Sequence, residues 1–340
     1  MNENKDFKSV FNAYLAAFYH DHRATHGTSI SLLARLHVFD AYLFRIGFNK
    51  PYFLKEDYEA WIKTMPHNKA ITINRKTMSV RKFLKYMCSM GIECYIPRLV
   101  KLSNSDFVPY IFSHDEIKRI FEVSDLLRIN YRNKGTVLMA LPILLRILYS
   151  TGIRIGECLK IKNEDIDFER HIINLDRQYT KNGCQRIAVI RPSLELAIKQ
   201  YMEYRNKLPI ERIASPKSPL IVSGLGNSPS IVSIQTWFVR ILKLSGIPYK
   251  GDHQGPGVHC LRHSACVHAM SNLIDSGRDI YIALPILSAY MGHKNVKGTE
   301  HYIRLTQEMY PDVKRKDSLV ISGLEYIVSK IIINQDNENK

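Results

Sequence analysis

No run of about 18 apolar residues, the minimum for a membrane-spanning helix, occurs in this 340-residue sequence. The most apolar stretch, Met139 to Tyr149, is broken by Pro142 and Arg146. The first residues, M-N-E-N-K-D-F-K, lack the basic-then-apolar order of a secretory leader. The chain is therefore expected to stay in the cytoplasm, with no membrane as partner. Six cysteines are present, Cys88, Cys94, Cys158, Cys184, Cys260 and Cys266, and none lies in a C-x-x-C pair. Cys260 and Cys266 beside His259, His263 and His268 invite a zinc reading, but their spacing fits no common zinc site. Free buried thiols in a reducing cell are the expectation, with no metal and no cofactor. Internal repeats are lacking, and the only low-complexity tract is the polar tail Q-D-N-E-N-K. Acidic residues are few as well: 32 Asp and Glu stand against 48 Lys and Arg, a formal net charge of +16. Such an excess favours a polyanion, either nucleic acid or an acidic membrane surface.

The chain is nevertheless 45% hydrophobic, enough to bury a sizeable core, and long enough for two domains. Residues 1 to about 102 read as a small all-helical unit. One apolar face runs from Phe7 to about His22. Thr28 or Ser29 caps a second helix through Leu32, Leu36, Phe39 and Leu43, ended by Gly47. Lys55 to Met65 forms a third around Trp61. Thr72 caps a fourth, with Ile73, Val80, Phe83, Leu84 and Met87 inward and Gly91 closing it. Between residues 68 and 101 only Glu93 opposes eight Lys and Arg. Arg75, Lys76, Arg81, Lys82 and Lys85 are thus candidates for phosphate contact; a solvated helix face is the plain alternative.

Residues 97 to 112 hold a linker marked by Pro97 and Pro109, placed at 103–112, and a second domain spans 113–340. Ser113 with Glu116 makes a capping box for a helix to about Val123. Val137 to Ser150 is a strongly apolar helix, ended by Gly152. Ile172, Ile173 and Leu175, then Ile187, Val189 and Ile190, flank Lys181-Asn182-Gly183, a hairpin signal. This is the one clear β element. Helices follow from Ser193, from Ile231 and from His259, then from Ile280 to Met291 despite Pro285. A short one carries Tyr302, and a last amphipathic one lies at about 318–334. The fold class is mainly α with a small antiparallel β-sheet, in two domains.

His259, Arg262 and His263 stand at i, i+3 and i+4, so a helix gathers them on one face. A cation and two imidazoles so placed suit an anion, and nucleic-acid phosphate is the polymeric anion that fits. At this point the residues resemble the tyrosine recombinases, or phage-integrase-type recombinases, of which the Xer proteins are examples. The sequence has Thr151-Gly152-Ile153-Arg154-Ile155-Gly156-Glu157, then Thr180-Lys181-Asn182-Gly183, then His259-Cys260-Leu261-Arg262, then Gly292-His293, then Tyr302. Five ordered matches are far more specific than one H-x-x-R. The resemblance covers roughly Ser113 to Tyr310, and the helical unit before it resembles the family's core-binding (SAM-like) DNA-binding domain.

What the resemblance implies is a site-specific recombinase acting on double-stranded DNA without metal or ATP. Arg154 and Arg262 would clamp the non-bridging phosphate oxygens, as guanidiniums can with paired hydrogen bonds. Tyr302 would be the nucleophile; a phenol of pKa about 10 needs help losing its proton, and His259 would accept it. Lys181 would protonate the leaving 5′ oxygen, although a hairpin lysine is commonly only solvated and Arg186 is nearby. His293 would bond the phosphate or hold the tyrosine. Glu157 would buttress Arg154 or pack its helix, and His263 would support the site or touch phosphate. The product would be a covalent 3′-phosphotyrosine.

Departures from the family pattern are local. Glu300 and His301 precede Tyr302 where the family often has T-T-x-x-Y, Tyr310 is a poorly spaced rival nucleophile, and Pro285 interrupts the approach to the G-H pair. The resemblance implies that the apolar segment at about 318–334 is exchanged between neighbours in a tetramer on two DNA sites; packing within one chain is the alternative. Two rival functions share these residues: a type IB topoisomerase, and a catalytically inactive DNA-binding relative.

Overall fold

The computed structural model describes residues 7–27, 29–100, 108–130, 132–180, 183–249, 255–277 and 280–292. Thr28, residues 103–107 of the linker, Lys181, Asn182, His293, Glu300, His301, Tyr302, Tyr310 and the apolar stretch at about 318–334 lie outside the described residues. The chain divides into two compact units, Met1–Phe107 and Val108–Lys340.

The first unit contains α1 (Asn12–His26), α2 (Ile30–Arg45), α3 (Lys55–Lys63) and α4 (Ala70–Ser89). Ser29 caps α2, its hydroxyl accepting from the Leu32 amide. Gly47, at φ 62°, takes the left-handed turn that follows. α1 begins five residues after the expected Phe7 because the lead-in is captured from afar: the Asp40 carboxylate accepts from the amides of Lys8 (2.8 Å) and Ser9 (2.9 Å). Phe7 itself stacks on His37. α4 also starts ahead of Thr72, whose amide already donates to Lys69 O at 2.8 Å, and Ile73 is half-buried, not inward. The interior gathers Phe11, Phe39, Phe53, Trp61, Phe83 and Met87 with the leucines of α1 and α2.

In the second unit Ile111 and Phe112, within the stretch expected as linker, are already buried. The Phe112 amide donates to Ser264 Oγ at 2.8 Å. α5 (His114–Leu126) opens on the Ser113–Glu116 capping box. The single helix expected over 137–150 is split: a 3-10 turn at Val137–Met139 precedes α6 (Leu141–Thr151). Pro142 accounts for the break, since it lacks an amide hydrogen and is tolerated only in a first turn. Leu141, Leu144, Leu145, Ile147 and Leu148 make α6 the centre of the core.

After α7 (Ile155–Cys158), three short strands pair antiparallel in the order β1 (Ile166–Asp167), β2 (Ile172–Leu175), β3 (Arg186–Val189). Gly183 has φ 65°, in keeping with a turn, but the paired strands stop short of it: Leu175 faces Arg186 and the connection runs 176–185. The side chains of β3 alternate between the two faces. Ala188 is buried, while Ile187 and Val189 are 50% and 47% exposed, so Arg186 and Ala188 take the inner side of the pleat. α8 (Pro192–Asn206) starts at Pro192, not after a Ser193 cap. α9 (Ile231–Leu244) is capped by Ser230. α10 (His259–Asp275) and α11 (Ile280–Met291) pack on each other around Val267, Met270, Ile274, Leu284, Leu287 and Met291. Among the described residues, no helix is long and apolar enough to cross a membrane.

Candidate active site

The T-G-x-R-x-x-E stretch forms two helix ends joined by one turn. Gly152, at φ 64°, ends α6 in a left-handed conformation, and Arg154 then caps α7. A Cβ on Gly152 would sit 2.7 Å from Met291 Sδ, so close approach adds to the φ requirement. Glu157 reaches back over its own turn. Its carboxylate accepts the Arg154 amide at 2.9 Å and Arg154 Nη1 at 2.8 Å. Glu157 is thus both bonded to Arg154 and packed within the unit, at 2% exposure.

Glu157 has a second cation. Arg186 Nη2 donates to Glu157 Oε2, so two guanidiniums share a carboxylate that is 2% exposed. Burial by itself would push the Glu157 carboxyl up. The Arg154 amide and the charges of Arg186 and Arg154 outweigh it and hold the carboxyl below its ordinary value. Burial lowers Arg186 against the pull of Glu157, yet a guanidinium stays charged at any working pH.

Arg262, on α10, is 2% exposed. The structure uses main-chain oxygens: Arg262 Nη1 donates to Gly152 O, and Nη2 to Met291 O at 2.8 Å. Both carbonyls belong to helix C-termini, where unpaired oxygens carry partial negative charge.

The end of α11 is the point where these groups meet. Its last carbonyls are taken in succession by Arg186 (Tyr290 O, 3.0 Å), Arg262 (Met291 O, 2.8 Å) and Arg154 (Gly292 O, 3.5 Å). Gly292 has φ 66°, and a Cβ there would lie 2.7 Å from Arg186 Nε. The glycine of the G-H pair thus admits a guanidinium as well as a left-handed turn.

The structure therefore brings Arg154, Glu157 and Arg262 together with Gly292, while Lys181, His293 and Tyr302 lie outside the described residues. His259, Arg262 and His263 share one side of α10, as the spacing requires, at three depths: exposed, buried and half-buried. The two imidazoles meet edge to face at 4.7 Å. The cysteines of α10 are buried thiols; burial raises Cys260, and pushes Cys266 up to about 12.

In the first unit, Arg75, Lys82 and Lys85 lie on the exposed side of α4, with Ile71 and Met78 between them. Lys76 and Arg81 are half-buried and engaged, by Met65 Sδ at 3.3 Å and by the Pro97 carbonyl. Sequence reasoning gave Arg186 no role. The available signal was its phase: it shares the inner side of β3 with Ala188, and an arginine turned inward needs a partner.

Residues 111–309 match the phage integrase family. The putative integrase/recombinase y4rB of Sinorhizobium fredii is 26% identical over 239 residues, 70% of this chain and 75% of that protein. Tyrosine recombinase XerC of Bacillus subtilis is 26% identical over 263 residues, 76% of either protein. In fold the chain is similar to the XerH site-specific recombinase, solved bound to its palindromic difH substrate as a post-cleavage complex. That likeness has a TM-score of 0.60 at 16% identity, and covers 88% of this chain and 83% of the other.

Proposed function

We propose, from the premise that the chain belongs to the phage integrase family, that it is a tyrosine-type site-specific recombinase that cuts and rejoins double-stranded DNA. The observation that carries this reading is the convergence of Arg154 and Arg262 at the end of α11, directly before His293 in the chain. Two permanently charged guanidiniums held by buried bonds form a clamp that need not reorganise when charge grows on a phosphate.

The chemistry then runs as follows. The Tyr302 oxygen forms a bond to phosphorus as the bond from phosphorus to the 5′ oxygen breaks. The phenol proton goes to His259, and the leaving alkoxide takes a proton from Lys181. Arg154, Arg262 and His293 stabilise the charge on the non-bridging oxygens, the task a metal ion performs in other phosphoryl-transfer sites. The 3′-phosphotyrosine conserves the energy of the broken ester, so attack by another 5′-hydroxyl reseals the strand without ATP. Arg75, Lys82 and Lys85 add contacts to the DNA backbone. The apolar segment at about 318–334 docks on a neighbour, closing a tetramer on two sites.

The test is to trap the covalent intermediate on a library of nicked duplexes and map the attachment point. The expected result is a DNA adduct at one sequence class for wild type, and equal binding without an adduct for Tyr302→Phe. Absence of any adduct from wild type would make the chain a non-catalytic DNA binder. Relaxation of plasmids irrespective of sequence would move it to the topoisomerases.

A further inference from the structure

We infer that Arg186 is a positioning residue for strand cutting, locking the turn that carries Arg154 to the end of α11 that leads into His293. The inference rests on the proposed recombinase reading and extends it to a residue outside the recognised motif.

The geometry is that of a two-sided bracket. One nitrogen of Arg186, Nη2, holds Glu157 Oε2, and the other, Nη1, holds Tyr290 O at 3.0 Å. Glu157 in turn holds both the amide and Nη1 of Arg154. A single planar side chain therefore fixes the angle between α7 and the end of α11. Lysine, a point charge on a flexible stem, cannot serve both oxygens in one plane. The Arg186 side chain is 11% exposed and Glu157 2%, so water cannot readily replace either partner.

Two further features support the assignment. Gly292 leaves room for the guanidinium, since any Cβ would meet Arg186 Nε at 2.7 Å. Moreover, Arg186 opens β3, the strand that follows Lys181 in the chain. One residue thus ties together the segments bearing three of the candidate catalytic groups, Arg154, Lys181 and His293. Charge adds a reason. Arg154, Arg186 and Arg262 meet at one helix end, and Glu157 is the carboxylate that offsets their repulsion there. Without Arg186, Tyr290 O loses its donor and Glu157 shifts towards Arg154. The clamp then moves relative to α11, and a displacement of about 1 Å costs on the order of a hundredfold in rate.

The test uses the full chain as wild type, R186Q, R186K, E157Q and the E157Q/R186Q pair. DNA binding, the rate of covalent adduct formation against pH, and amide hydrogen exchange in the peptide ending at Gly292 are measured. R186Q is expected to bind DNA normally, to form the adduct about tenfold to a hundredfold more slowly, and to exchange faster at the end of α11. R186K should recover part of the rate. The acid limb of the R186Q profile should move to higher pH, because Glu157 keeps Arg154 but loses one of its two cations; a purely structural role would leave that limb in place. The double variant should be no slower than the slower single variant, as two parts of one bracket require. Adduct formation at the wild-type rate in R186Q would overturn the inference. So would additive losses with unchanged exchange, which would make Arg186 a direct phosphate contact. If wild type itself forms no adduct, the recombinase reading fails, and exchange alone decides the bracket: faster in R186Q upholds it, unchanged rejects it. If R186Q does not fold, R186K carries the same measurements.

Discussion

Around Phe39 the first unit packs ring against ring, with Phe53, Trp61 and Phe83 at centroid distances of 5.4, 5.2 and 6.4 Å. Its one buried ionisable carboxylate or cation among the described residues, Asp40, serves two backbone amides. The second unit has an aliphatic centre built on α6 and buries Glu157, Arg205 and Arg262. The contrast separates two uses of an interior. Rings and leucines hold the first unit together, while Arg75, Lys82 and Lys85 stay on its exposed side. The second unit draws cations inward and fastens them to carbonyls at helix ends. Arg205 shows that this fastening need not be functional: it bonds Asn163 Oδ1 and Leu220 O, both at 2.9 Å, and ties α8 to segments before and after it in the chain. What marks Arg154, Arg186 and Arg262 out is their convergence on one helix end.

The contrast can be attacked most strongly through the aromatic core. Phe39→Ala should destabilise the first unit by about 3–5 kcal/mol, as large-to-small changes at buried phenylalanines do. The two tryptophans, Trp61 and Trp237, fall in different units. Single-tryptophan versions should show the Trp61 transition shifted in urea and the Trp237 transition unmoved. Equal shifts would mean that the units do not unfold separately.

Next in size is Arg262→Ala, expected to slow adduct formation by about 10²–10³ and to destabilise the second unit, whose two carbonyls lose their donor. If adduct formation persists at full rate, the buried cation is structural, as Arg205 is.

A smaller effect is set by pH. His268 is 3% exposed, stacked on His114 at 3.9 Å and bonded through Nδ1 to the Tyr149 hydroxyl at 2.8 Å. Burial, helped by His114, pushes its pKa down to about 4. The unfolded chain takes up this proton near pH 6.5 and the folded chain only near 4. Its contribution is therefore complete above about pH 6.5 and is lost as pH falls towards 4, by about 2–3 kcal/mol. Urea melts followed at Trp237 should show that slope, and His268→Gln should flatten it. The Trp61 transition should be unchanged by His268→Gln, keeping only the slope set by His22, which burial lowers in the first unit.

The smallest change is on the surface. Lys82→Gln should reduce the slope of log binding constant against log salt by about one unit, while Lys76→Gln, already engaged with Met65, should reduce it less. Equal effects would show that burial in the free protein does not sort the DNA contacts.

These same contrasts decide what could be read in advance. Apolar spacing located α2, α3 and the body of α4, because Leu36, Phe39, Val80 and Phe83 recur on one face and the helices depend on that face. It misplaced the start of α1, which is fixed by Asp40 from more than thirty residues away. The T-G-x-R-x-x-E turn was legible because its parts are local: a left-handed glycine, a cap and a carboxylate three residues on. Arg186 was not legible, since Glu157 and Tyr290 stand 29 and 104 positions from it. β3 turns Ile187 and Val189 outward and Arg186 with Ala188 inward, a phase that the pairing with β2 sets.

One bond alters how variants at this site would have to be interpreted. Arg262 grips the carbonyl of Gly152, two residues before Arg154 in the chain. The paired cations are thus a single mechanical part, like two jaws cut from one piece of metal. Shortening one jaw lets the other drift, so a loss measured at Arg262 already contains some of the loss at Arg154. The pair removed together should then cost distinctly less than the product of the separate deficits.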